Sequence, residues 1–452
     1  MRKNQVIEAT VDAMSHEGAG IARHEGMAVF IPRTAIGDRL RARVVKVQKS
    51  YAFAIPEELL EPSPHRVEND CPAFRRCGGC SLRHIGYEHE LALKEDWVRQ
   101  NLRRIGGIET AWDPPIPSPR PARYRNKAQY PVREVDGEPR VGFFAERTHD
   151  LIPVEDCLLQ PAFFRDICGA LLRYMKECGV SAYDESAHTG LVRHLYIRWG
   201  ERTGQVMVCL VIAGEAVPQP DRLLALLVAA CPGPATVVLS HNLRRTNVIT
   251  GDRETVLLGE GRIWDELCGV RVPISPQSFY QVNRDAAELL YRAAAEYATL
   301  GSGDVLLDLY CGAGTIGLSM AHLAKEVIGV EIVERAVEDA VEAARRGGIT
   351  NARFLCADAA AAARELAEQG IRPDILLLDP PRKGAEAPLL ETVLEMAPGR
   401  LVYISCNSAT LARDCKVLAA GGYRVTRGRA VDLFPRTAHV EAVCLLEPRP
   451  CE

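Results

Sequence analysis

Asp308-Leu-Tyr-Cys-Gly-Ala-Gly-Thr-Ile-Gly317 decides the fold. The stretch begins inside an apolar run, residues 305–309, and leads into a helical pattern over 315–324. Its glycines fall where a strand gives way to a helix, so the backbone can pass close to a ligand. Around it the hydrophobic rhythm alternates. Helix is expected over 283–298, 315–324, 333–345 and 359–368, and strand over 305–309, 326–330, 353–356, 374–378 and 401–404. A last helix starts at Ala409. Such alternation predicts an α/β architecture with a doubly wound parallel sheet.

Acids follow the strands. Asp308 leads the Gly turn. Glu331 closes the next strand, where a carboxylate can accept both ribose hydroxyls, and Asp358 follows the one after, in reach of an adenine amino group. The Gly spacing is not that of a dinucleotide site, and no helix N-terminus is arranged for a pyrophosphate. S-adenosylmethionine therefore fits better than NAD. Downstream, Asp379-Pro-Pro-Arg-Lys-Gly384 holds a carboxylate in a stiff, proline-fixed turn. Tyr403-Ile-Ser-Cys-Asn407 sets Cys406 at a strand end, as a nucleophile beside a nucleotide-type cofactor.

The 452 residues suggest about three domains. Hydrophobic content of 47% and charged content of 25% are those of an ordinary globular protein. No run of about 18 apolar residues occurs and the N-terminus lacks a signal-peptide core, so a cytoplasmic chain without membrane segments is expected. Fifteen widely spread cysteines, an odd number, argue for reduced thiols, metal and catalysis over a disulfide framework. A net charge of -4 excludes global attraction to nucleic acid, so RNA binding needs local basic surface.

Residues 1–57 read as five short strands of an OB-like barrel, with Arg39, Arg41, Arg43, Lys46 and Lys49 on one face. Residues 56–64, rich in proline, read as a linker. A mixed α+β central domain, 58–270, holds Cys71-x5-Cys77-x2-Cys80, a helix over 87–105, a hairpin at Val135-Asp-Gly137 and strands over 191–198 and 205–212. Residues 271–452 form the Rossmann-like domain. Arg120, Arg123, Tyr124, Arg125 and Lys127 are the densest basic-aromatic stretch, suited to phosphates and bases, and Phe279 is a candidate stacking face.

Taken together, Ser278-Phe-Tyr-Gln-Val-Asn283, the Asp308–Gly317 stretch, Asp379-Pro-Pro-Arg-Lys-Gly384, Ser405-Cys-Asn407 and Phe434-Pro-Arg-Thr-Ala-His-Val-Glu441 resemble the RNA uracil-5 methyltransferases, in family order. The barrel, with Gly18-Ala-Gly-Ile-Ala-Arg23, resembles a TRAM domain, and the cysteine cluster resembles the iron–sulfur ligands of the ribosomal-RNA branch. The resemblance implies a S-adenosylmethionine-dependent methyltransferase acting on 23S ribosomal RNA, with Cys406 adding to uracil C6 and Glu441 removing the C5 proton. It places Asp379 against base and cofactor, and Gln281 and Tyr310 against the cofactor. It adds Cys157 to Cys71, Cys77 and Cys80 as the fourth ligand of a 4Fe–4S cluster. Spacing alone leaves zinc as the alternative. A monomer is expected. The competing readings are a tRNA T-loop uracil-5 enzyme, an RNA cytosine-5 enzyme and a non-catalytic iron–sulfur RNA sensor. Cys311 reads as structural, and Cys168, Cys178, Cys209 and Cys231 as buried residues.

Overall fold

The computed structural model describes residues 1–146, 148–245 and 248–450. The chain divides into two compact units: 1–121, 380–385 and 403–452 in the first, and 122–379 with 386–402 in the second.

The first unit opens with a closed five-stranded barrel: β1 (Val6–Met14), β2 (Ala19–His24), β3 (Met27–Pro32), β4 (Arg39–Val47) and β5 (Tyr51–Glu61). Alternation drives it. Ile7, Ala9 and Val11 of β1 and Leu40, Ala42 and Val44 of β4 point inward, while the residues between them face solvent. The stretch expected as a linker is instead the second half of β5, the longest barrel strand at 11 residues. Pro56 is accommodated where the β4–β5 register shifts. The acids that suggested a loop pair with the arginines of β4. Arg39 meets Glu61 at 2.6 Å, Arg41 meets Glu58 at 2.9 Å and Glu8 at 3.1 Å, and Arg43 meets Glu57 at 2.5 Å. Arg39, Arg41 and Arg43 do line one face, but all three are neutralised there; the register shifts before Lys46, and Lys49 lies beyond the strand.

Helix Tyr87–Asn101 docks on the barrel, with Trp97 Nε1 donating to the Met14 carbonyl at 3.2 Å. It also holds the segment upstream of Glu441. Lys94, fully buried, donates to Glu90 and Asp432, each at 2.8 Å, and to the Phe434 carbonyl at 3.1 Å. The Arg436 backbone N–H donates to Glu90 at 2.6 Å, and the Arg436 carbonyl accepts from the N–H groups of Ser81 and Leu82. Every one of these buried charges has a counter-charge, which is the condition for tolerating them. Strands Tyr423–Val431 and Glu441–Pro448 pair antiparallel.

In the second unit a seven-stranded sheet carries helices Phe163–Cys178 and Pro220–Ala230. The hairpin at Asp136-Gly137 is present, with both residues at positive φ (54° and 77°), the geometry of a type I′ turn. Strand Val206–Ile212 is buried at every position, as its uniform apolar sequence requires. The Rossmann-like sheet runs Ala352–Cys356, Glu326–Glu331, Val305–Leu309 and Ile375–Leu378, all parallel. Helix Ala387–Met396 has no counterpart in the sequence reading; Pro388 sits in its first turn, where its missing N–H costs nothing. Of the four cysteines expected to be buried, Cys168 and Cys209 are, whereas Cys178 and Cys231 are half-exposed. Among the described residues no helix is long and apolar enough to cross a membrane.

Candidate active site

The second unit gathers the acids of the Gly turn. Strand Val305–Leu309 ends in Tyr310, at φ 65°, and the turn closes on Gly314, at φ 72°. A Cβ on Gly314 would stand 2.8 Å from Phe354, so only glycine fits. The turn is tied to the next strand end by Glu331, whose Oε2 accepts the Gly312 N–H at 3.1 Å. Its Oε1 accepts the N–H groups of Ile332 and Val333, both at 2.9 Å. Three backbone donors thus orient the carboxylate. Beside it Ile332 and Val333 are more than half exposed, apolar surface suited to a flat heterocycle.

Asp358 caps helix Ala359–Glu368, Oδ1 accepting from Ala360 and Ala361 at 3.0 and 3.1 Å. The cap fixes that carboxylate and leaves Oδ2 without a partner among the described residues. Gln281 lies beside the buried Tyr291 hydroxyl, which also meets Thr315 Oγ1 at 3.1 Å in the first turn of the helix after the glycines. Cys311 is buried and its thiol is held far above its usual range, first by burial and then by Asp308 and Glu331. It is structural.

Two carboxyls here are strongly perturbed. Burial lifts Asp308 to about 8, with Asp379 and Glu331 adding to the shift and the Gly317 N–H, 3.0 Å from Oδ2, opposing it. Asp308 Oδ1 has no hydrogen-bond partner among the described residues. Burial alone lifts Asp379 to about 7. A raised carboxyl pKa means that the folded state binds the proton more tightly than the unfolded chain. Stability contributed by Asp308 is therefore full below about pH 4 and is lost as pH climbs towards 8. Asp308→Asn keeps an acceptor for Gly317 and is expected to flatten the decline of the thermal midpoint between about pH 5 and 8, a difference of a few kcal/mol at the upper end. Scanning calorimetry across that range, with wild type alongside, measures it.

In the first unit Cys406 leaves strand Arg400–Ser405 one residue before Asn407, which caps helix Ser408–Ala420 by accepting the Ala409 N–H at 3.1 Å. A helix N-terminus favours negative charge nearby. The turn is braced on both sides. Asn407 N–H donates to Ser405 Oγ at 3.1 Å, and Asn407 Nδ2 donates to the Arg382 carbonyl at 3.0 Å. Asp414 binds the Tyr403 hydroxyl at 2.6 Å and the Ala385 N–H at 2.8 Å. The Pro-Pro-Arg loop and the Cys406 turn are thus one rigid piece. Glu441, 6% exposed, opens the strand that neighbours Arg400–Ser405 in the sheet.

The three loop cysteines also lie in the first unit, half-buried. Burial raises Cys77, and Cys71 adds to the rise, which places the two thiols near each other. Arg83, ion-paired with Asp70, feels both Cys71 and Cys80. Among the described residues no three His, Cys, Asp or Glu side chains are assembled to hold a metal ion. Cys157 belongs to the second unit. The structure therefore brings three of the expected ligands into one loop without forming a coordination shell.

The family model for tRNA (uracil-5-)-methyltransferases matches residues 271–449, and that for the TRAM domain matches residues 2–56. An uncharacterised RNA methyltransferase of Halalkalibacterium halodurans is 43% identical over 99% of this chain and 98% of its own. The chain belongs to the RNA uracil-5 methyltransferase family. A second member, from Caldanaerobacter subterraneus, is 38% identical over 97% of each chain. The crystal structure of the Pyrococcus abyssi tRNA (uracil-54, C5)-methyltransferase, in complex with S-adenosyl-L-homocysteine, superposes with a TM-score of 0.78 at 28% identity. It covers 97% of this chain and 100% of that one. Sequence reasoning missed the orienting role of Gly312 for Glu331 and the Lys94–Glu90–Asp432 brace, in which Asp432 lies 338 residues from Lys94.

Proposed function

We propose that this family member methylates C5 of a uridine in 23S ribosomal RNA with S-adenosylmethionine as methyl donor. The observation that carries the chemistry is Cys406 at one strand end, in a braced turn, with the buried carboxylate Glu441 opening the neighbouring strand. Uracil C5 is a weak nucleophile until something adds at C6. The Cys406 thiolate forms the C6–S bond, and the displaced electron pair makes C5 an enolate carbon. C5 takes the methyl group. Glu441 accepts the C5 proton, the C5–C6 double bond re-forms, and the thiolate leaves. Glu331 takes the ribose hydroxyls, Asp358 the adenine amino group, and Gln281 and Tyr310 the rest of the cofactor. Asp379 meets the base and cofactor. The target base must leave its stack, at a cost of a few kcal/mol.

We assign the cysteines to a 4Fe–4S cluster held by Cys71, Cys77, Cys80 and Cys157, with zinc as the alternative. The placement of Cys71, Cys77 and Cys80 within one loop supports shared ligation. No step of methyl transfer passes through it. The resemblance of the cysteine cluster to that of the ribosomal-RNA branch favours ribosomal RNA, whereas the barrel does not discriminate, because the match to the Pyrococcus abyssi tRNA enzyme covers 97% of this chain. Likeness to the Pyrococcus abyssi enzyme favours a second reading, a tRNA uridine. Mapping 5-methyluridine in total RNA from a deletion strain separates them: one 23S site is expected to lose its methyl group, while loss confined to tRNA would overturn the ribosomal assignment. The complementing protein, purified without oxygen, is expected to be brown and to contain iron; a colourless, zinc-loaded protein would replace the cluster with zinc.

A further inference from the structure

The seven-stranded sheet of the second unit carries a cavity of about 280 Å³, lined by none of the residues assigned above to catalysis or the cofactor. Lys127, Gln129, Tyr196, Arg244, Asp252 and Gln277 line it. Its electrostatics are unbalanced. Lys127 pairs in register with Arg198 on the adjacent strand, and their charged groups lie 5.4 and 5.5 Å from the centroid of the same buried ring, Tyr196. Like charges directly opposite one another weaken a sheet. Arg198 spends its donors on the carbonyls of Ser275 and Ser278, at 2.7 and 2.5 Å. The one acid in the lining, Asp252, is ion-paired with Arg244. Lys127 has no acid or hydrogen-bond acceptor among the described residues. Arg123, in the same stretch, differs, since Asp156 holds it at 2.5 Å.

We infer that this cavity is a nucleotide subsite for the substrate RNA, in which Lys127 binds a backbone phosphate and the amides of Gln129 and Gln277 meet the attached base or ribose. A phosphate there supplies the counter-charge that the fold withholds. Burial, then Arg198 and Arg125, lower Lys127 to about 8, the result of a half-buried ammonium surrounded by cations. The subsite adjoins the turn that Arg198 braces, which presents Phe279, 76% exposed, and leads into Gln281. A nucleotide held in the cavity would therefore anchor the strand next to that aromatic.

The inference rests on RNA being the substrate, and binding tests it apart from catalysis. The probe is a fluorescein-labelled oligouridylate, titrated by anisotropy over a salt series. Lys127→Gln is expected to weaken binding by about tenfold at low salt and to lower the log–log salt slope by about one. Lys127→Arg is expected to keep the wild-type slope. Removing one of two facing charges should leave the thermal midpoint unchanged or higher. Unchanged affinity and slope in Lys127→Gln would overturn the subsite. So would a loss that tracks a lowered midpoint and is not restored by arginine. If the wild type binds the oligomer with this signature but methylates no uridine, the uridine methylation reading falls and the subsite stands.

Discussion

Cys406→Ala is expected to lower methyl transfer by on the order of 10⁴-fold or more, the scale on which removal of a covalent nucleophile acts. The effect should lie in the chemical step. Glu331 and Asp358, the residues proposed to hold the cofactor, are fixed by their own backbone partners in the second unit, far from the Cys406 turn in sequence. Binding of S-adenosylmethionine, measured by calorimetry, is therefore expected to stay within about twofold of wild type. The turn itself should survive, because Ser405, Asn407 and Arg382 hold it through hydrogen bonds that bypass the thiol. Single-turnover transfer of labelled methyl to a uridine-containing transcript measures the loss. Retention of more than about a tenth of wild-type rate would remove Cys406 from the chemistry.

Glu441→Gln separates the two halves of the reaction. Glutamine preserves shape in a site only 6% exposed and removes the capacity to take a proton. Turnover is expected to fall by about 10²–10⁴-fold, the usual contribution of a general base. Addition and methylation precede the defective step, so the covalent protein–RNA complex should accumulate. A slowly migrating band in a denaturing gel, dependent on S-adenosylmethionine and absent from the Glu441→Gln, Cys406→Ala double variant, reports it. Slow turnover without accumulation would place Glu441 before the adduct and assign proton removal elsewhere.

Much of this was legible in the chain because it is local. The Asp308–Gly317 stretch announces a strand, a tight turn and a helix within ten residues, and Asn283 caps its helix where the sequence signals a start. Glu331 and Asp358 stand at strand ends that hydrophobic periodicity alone locates. The failures were of two kinds. The proline and glutamate cluster in β5 mimics loop composition, and only its partners across the fold, the β4 arginines, reveal order. Long-range pairing carries no local signal at all. Lys94 reads as an ordinary exposed helix residue until Asp432, 338 positions away, closes on it. The same applies to Arg198 and Lys127, whose opposition depends on strand register.

The central claim is that Cys406 bonds to C6 of the uridine that receives the methyl group. A transcript carrying 5-fluorouridine tests it most directly, since fluorine at C5 cannot leave as a cation and the adduct stays trapped after methylation. Digestion and mass spectrometry of the wild-type complex are predicted to find the Cys406 peptide joined to a 5-methylated, 5-fluorinated dihydrouridine. No adduct, an adduct on another residue, or one that persists in Cys406→Ala would contradict the account.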